Sequence, residues 1–130
     1  MRPTSRRARI GAFAVGILVG VVLTVGAVTV LWWPRTEVTY RSTAPSSVAY
    51  DDESTHYLGL VHKHTLSGRH TYGVVIGRDP GLSYGHWVQV SPDLGAPGIK
   101  STTWTKAGVR VRFLTGHEVF VPARFYLYGR

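Results

Sequence analysis

Cysteine is absent from all 130 residues. That excludes disulfide cross-links, thiolate nucleophiles, cysteine-based metal sites and lipid attachment through a thiol. It fits a bacterial exported domain that folds without disulfides. Charge is absent from one long stretch. Ile10 to Trp33, IGAFAVGILVGVVLTVGAVTVLWW, runs for about 24 residues without an ionisable group, enough to cross a bilayer as a helix. Acidic residues are scarce, 7 against 15 Lys and Arg, for a formal net charge of +8. Much of that excess is Arg2, Arg6, Arg7 and Arg9, which topology and anionic lipid heads account for. The remaining charges are scattered, which argues against a nucleic-acid partner. After Trp33 there is no amphipathic helical pattern, no internal repeat and no low-complexity tract.

The flanks of the apolar run set its expected orientation. Four arginines precede it, while Arg35 and Arg41, with Glu37 between them, follow it. More positive charge on the N-terminal side predicts that this end stays in the cytoplasm, and Trp32 and Trp33 suit the membrane interface. The run is too long and too evenly apolar for a buried core helix. A cleaved signal peptide is the rival, since Val25-Gly26-Ala27 offers small residues to a peptidase. A signal h-region is only about 7–15 residues, so a retained anchor in the plasma membrane is expected. The Arg6-Arg7 pair, in a basic segment, adds little weight to a twin-arginine signal. Ala12, Gly16, Gly20 and Thr24 form a small-residue stripe at spacing four, which would let two such helices approach closely as a homodimer in the bilayer.

Roughly 97 residues follow the span, enough for one small domain with one core. The expected division is a basic cytoplasmic stub at 1–9, a transmembrane helix at 10–33, a linker at 34–53, and an extracytoplasmic β domain at 54–130. The linker reading rests on Ser42-Thr-Ala-Pro-Ser-Ser47, small and polar as in flexible tethers, although Thr36 to Arg41 has extended character. From His56 onward the pattern has period two. His56 to Leu66 and His70 to Arg78 should pair as a hairpin around Leu66-Ser-Gly-Arg69, with both even faces toward the core. That match needs an odd-length loop. His86 to Val90 is a further strand after the breaker Asp79-Pro-Gly81. Ser101 to Lys106, Val109 to Leu114 and Glu118 to Val121 follow with tight connections. A two-residue Ala107-Gly108 turn would set Trp104 opposite Val111. A Thr115-Gly-His117 loop would set Phe113 opposite Val119 and Val111 opposite Val121. Pro122 should end the last strand, and Phe125 to Tyr128 should pack back on the sheet. The expected fold class is mainly β: the transmembrane helix, then a small antiparallel sheet domain of about six strands, curled as a sandwich or partly open barrel.

One family resemblance follows from particular residues. Gly85-His86-Trp87, then Trp104-Thr105 with Gly108-Val109, Val111 and Phe113, then Gly116-His117-Glu118 with Val121-Pro122-Ala123-Arg124, make a pattern similar to that of small single-pass membrane proteins of actinobacteria, Streptomyces-like in their use of Arg, Ala, Val and Gly. The likeness covers mainly the C-terminal half. It implies a source and a topology, and no activity.

Candidate chemistry is sparse. Gly81-Leu-Ser-Tyr-Gly85 matches G-x-S-x-G, but a nucleophile elbow needs a strand before it and a helix after it. Here a Pro-Gly turn precedes and a strand pattern follows, so no enzyme is expected. His62, His64 and His70 should share one face near the hairpin tip. Two histidines at i, i+2 with a third across the hairpin suit a divalent metal such as zinc, with Asp51, Asp52 and His56 as possible further ligands. The aromatic set Trp87, Trp104, Tyr84, Phe113, Tyr126 and Tyr128 could line a sugar or peptide groove, but more economically forms the core. Arg110 and Arg112 fall on the wet face opposite Val109 and Val111, where they could meet an acidic partner. The expectation is a non-enzymatic membrane protein whose outer domain binds an envelope protein, with metal or small-ligand capture by the histidine face as the alternative and no obligatory cofactor.

Overall fold

The computed structural model describes residues 6–128. They divide into two units, 6–33 with 65–68, and 34–64 with 69–128. In the first, α1 runs from Arg6 to Trp32, is apolar around its whole circumference and buries no residue. Its 27 residues span about 40 Å at 1.5 Å per residue, against a hydrocarbon thickness of about 30 Å. By length and composition it can cross a membrane. The helix begins within the expected stub, since Arg6, Arg7 and Arg9 are already helical. Residues 1–5 lie outside the described residues.

The second unit is mostly β. Its strands are β1 (Arg35–Thr43), β2 (Tyr57–His64), β3 (His70–Gly77), β4 (His86–Val90), β5 (Ile99–Thr105), β6 (Gly108–Phe113) and β7 (Glu118–Pro122). They form two antiparallel sheets in sequence order, β1-β2-β3-β4 and β5-β6-β7, with no closed barrel. Two one-turn helices, α2 (Pro92–Gly95) and α3 (Arg124–Leu127), complete the unit. One core joins the sheets. Leu58, Leu60, Val74, Ile76 and Val90 come from the first, and Trp104, Val109, Val111, Phe113 and Val121 from the second. Each such side chain contributes about 1.5–3 kcal/mol on burial.

The first hairpin has the expected faces. Leu58 lies opposite Ile76, Leu60 opposite Val74 and His62 opposite Tyr72, across the odd-length loop 65–69. The outer face of this sheet is not simply wet. Val61, Val75 and Leu82 form a second buried cluster, with Val38, Tyr57 and Trp87 against it.

The linker expectation is overturned. Residues 35–43 are β1, paired along β2, so sheet structure starts at 35 rather than 54. Ser42, one of the polar residues that suggested a tether, is bonded across the domain. The Ser42 hydroxyl accepts from Thr102 Oγ1 at 2.6 Å and from Trp104 Nε1 at 3.0 Å. Beyond β1, Tyr50 is 5% exposed in the core.

Two registers also differ from expectation, each by two residues. Trp104 faces Val109, not Val111. Gly108 is a strand residue because β7 passes against it: a Cβ there would lie 2.3 Å from the Val121 carbonyl oxygen and 2.9 Å from Pro122 Cα. The turn is therefore Lys106-Ala107. Likewise Val111 faces Val119 and Val109 faces Val121. Gly116, at φ 91°, takes the left-handed position that closes a three-residue loop, so that loop is 114–116 rather than 115–117. A slip of two preserves side-chain parity, and the valine face stays inside. The C-terminal tail packs only in part: Tyr126 is buried, while Phe125 and Tyr128 are largely exposed.

Candidate metal site on the first hairpin

The site begins where the core face of β2 runs out. Leu58 and Leu60 are fully buried; two and four residues on, the same face carries His62 and His64, both half-buried. Opposite them β3 supplies Tyr72 and His70. The three histidines expected on one face are there, with ring centroids 4.9 Å apart for His62 and His64, 5.1 Å for His62 and His70, and 6.1 Å for His64 and His70.

The structure adds a fourth residue. Glu37 of β1 lies directly opposite His62. One ligand atom from each of Glu37, His62 and His64 falls within 4.8 Å of the others. A bulge puts Glu37 there. Val38 faces Val61, but Tyr40 faces Leu60, so Thr39 is an extra residue that switches the parity of the strand. Tyr40 can then turn to the core while Glu37 turns to the histidines. An unbroken alternation would have sent one of them to the other face.

Neighbouring contacts orient the imidazoles. The His62 ring stacks on Tyr72 at 4.3 Å and 1°, and its Nε2 shares a hydrogen bond of 2.9 Å with His70 Nδ1. His70 is exposed and serves as this outer partner rather than as a member of the compact group. His64 Nδ1 is buried without a hydrogen-bond partner among the described residues. Burial, then the charges of His64 and His70, push the His62 pKa down, against a smaller upward pull from Glu37. The neutral ring so favoured is the form that binds metals.

The other expected residues lie elsewhere. Asp51, Asp52 and His56 cannot complete this group. His56 precedes the far end of β2, about 20 Å along the strand from His62 at ~3.3 Å per residue. It is instead fully buried, with Nδ1 bonded to the Ser54 carbonyl at 3.1 Å and Nε2 3.6 Å from Asp52 Oδ2. Gly81 to Gly85 is a loop capped by Asp79, whose carboxylate accepts from the amides of Gly81 and Ser83, and a strand follows it. Arg112 pairs with Glu118 at 3.4 Å, while Arg110 projects to solvent opposite Phe120. Ala12, Gly16, Gly20 and Thr24 all lie on α1; the Thr24 hydroxyl donates to the Gly20 carbonyl of its own helix at 2.8 Å. No family model, curated protein or solved structure matches the chain.

Proposed function

We propose that this chain is a single-pass protein of the plasma membrane, with its N-terminus in the cytoplasm and its β domain outside, and that the domain captures a divalent transition metal through Glu37, His62 and His64. The carrying observation is that these three donors, on two strands, come within 4.8 Å of one another. Around a tetrahedral zinc ion, with bonds of about 2.0–2.2 Å, donor atoms sit about 3.4 Å apart. The group therefore has to close by at most about 1.4 Å, and Glu37, exposed on β1, has the side-chain freedom to do so. Three protein ligands leave a fourth position for water or for a donor from a partner. The span supports the membrane placement, and the arginine bias before it supports the orientation. We assign binding rather than catalysis.

A second reading, capture of an acidic envelope protein, is favoured by the outer face of the second sheet. There Arg110 is in none of the ion pairs among the described residues, and Phe120 is 48% exposed beside it.

The test of the metal site is calorimetric titration of zinc and copper(II) into the full-length protein in detergent. The expected result is one bound equivalent, with affinity reduced at least about tenfold by Glu37→Gln and by His64→Ala. Absence of saturable binding, or unchanged affinity in both variants, refutes the site.

A further inference from the structure

The outer face of the first sheet carries a cleft. Two strand glycines leave bare backbone there, and large side chains occupy the space. A Cβ on Gly59 would lie 2.1 Å from Leu82 Cδ1, and one on Gly73 would lie 2.1 Å from Trp87 Cζ2. Trp87 is thus laid flat against the sheet. Leu82 reaches Gly59 from the 79–85 loop, with its own φ at 58°, a conformation uncommon for a leucine. Asp79 holds that loop from within, and Arg41 ties it to β1 by donating to the Pro80 carbonyl at 2.8 Å.

Between this loop and Trp87 opens a cleft of about 520 Å³, within the usual size range of small-molecule sites. Its floor is the Val61 and Val75 cluster. Its rim carries the Trp87 ring, Tyr84, the hydroxyls of Thr36 and Ser83, and the Lys63 ammonium, with no carboxylate. Lys63 Nζ lies 4.5 Å above the Trp87 ring.

We propose that this cleft binds an anionic sugar, a pyranose ring bearing a carboxylate. A pyranose has an apolar C–H face, which suits a flat indole, and a hydroxyl rim, which suits Thr36 and Ser83. The one charge on the rim is positive, so the ligand carries the negative one. The Lys63 ammonium has no anion to pair with in the cleft and rests on the ring instead. A charge-assisted hydrogen bond to a carboxylate outweighs an exposed cation–π contact. The ligand therefore draws Lys63 off the indole and takes its place on the ring.

The experiment is calorimetry on the full-length protein in a non-glycosidic detergent. EDTA is included, so that the metal site cannot contribute. The probes are trigalacturonate and neutral maltotriose. Saturable binding of trigalacturonate is expected, with maltotriose at least about tenfold weaker. Trp87→Ala should abolish binding. Lys63→Met, which keeps the apolar stem on an exposed position, should weaken trigalacturonate at least about tenfold without disturbing the fold. No saturable binding, equal binding of maltotriose, or unchanged affinity in Lys63→Met overturns the proposal.

Discussion

Replacing Tyr50 by Phe should cost more stability than replacing Tyr126 by Phe, although the two phenols share one hydrogen bond. Both are buried, at 5% and 3% exposure, and their oxygens are 2.7 Å apart. Each phenol has a single proton. Tyr50 spends its own on the Thr105 carbonyl at 3.0 Å, so Tyr126 must donate to Tyr50. Burial pushes both phenol pKa values up.

Tyr126→Phe removes one bond and leaves the Tyr50 proton paired, which costs about 0.5–1.5 kcal/mol. Tyr50→Phe breaks both bonds and strands the buried Tyr126 hydroxyl, which costs about 1–3 kcal/mol. In a domain of this size each kcal/mol lowers Tm by about 4–8 °C. The double Phe variant should be no worse than Tyr50→Phe alone, because it removes the stranded hydroxyl. The assay is thermal unfolding of the four proteins in detergent, followed by near-UV circular dichroism. A Tyr126→Phe variant as unstable as Tyr50→Phe, or a double variant whose loss is the sum of the two, would refute the donor assignment.

Two further perturbations probe the frame around the sites. Partial burial raises the Asp52 pKa, but the Ser54 amide, then His56 and Arg78, outweigh it and hold the carboxyl below its ordinary value. Its stabilisation is therefore complete above the unfolded value, about 3.9, and is lost as pH falls through the lower folded one. Denaturant titrations from pH 5 downward should show the stability gap between wild type and Asp52→Asn shrinking; a constant gap would count against the assignment. Gly108→Ala should destabilise by about 1–3 kcal/mol, because the new methyl meets β7 backbone that cannot move aside. A Tm equal to wild type would show that β6 and β7 do not approach as described.

Much of the domain is legible in local pattern. Period-two alternation marks β2, β3, β4 and β6, and the odd loop sets Leu58, Leu60 and His62 on the face of Ile76, Val74 and Tyr72. The same parity brings three histidines together. Glu37 is not legible. Its place opposite His62 depends on the bulge at Thr39, and nothing in Arg35-Thr-Glu-Val-Thr-Tyr-Arg announces where the alternation breaks. The linker reading fails for a related reason. Ser42 and its neighbours have loop composition, but Thr102 and Trp104, 60 and 62 residues away, give that serine its hydrogen bonds.

Sequence alone determined the quantities that depend on neighbours in the chain: an uncharged run long enough to span a bilayer, strands that bury alternate residues, and a mainly β domain without cysteine. Tertiary structure decided the rest. It chose between registers of equal parity, and the close passage of β7 over Gly108 goes with the one found between β5 and β6. It joined Tyr50 to Tyr126, added Glu37 to the histidines, and laid Trp87 on Gly73. Parity is a local property, because side-chain direction repeats every two residues. Bulges, close backbone approaches and contacts across 60 to 76 residues are set by the packing of two sheets on one core.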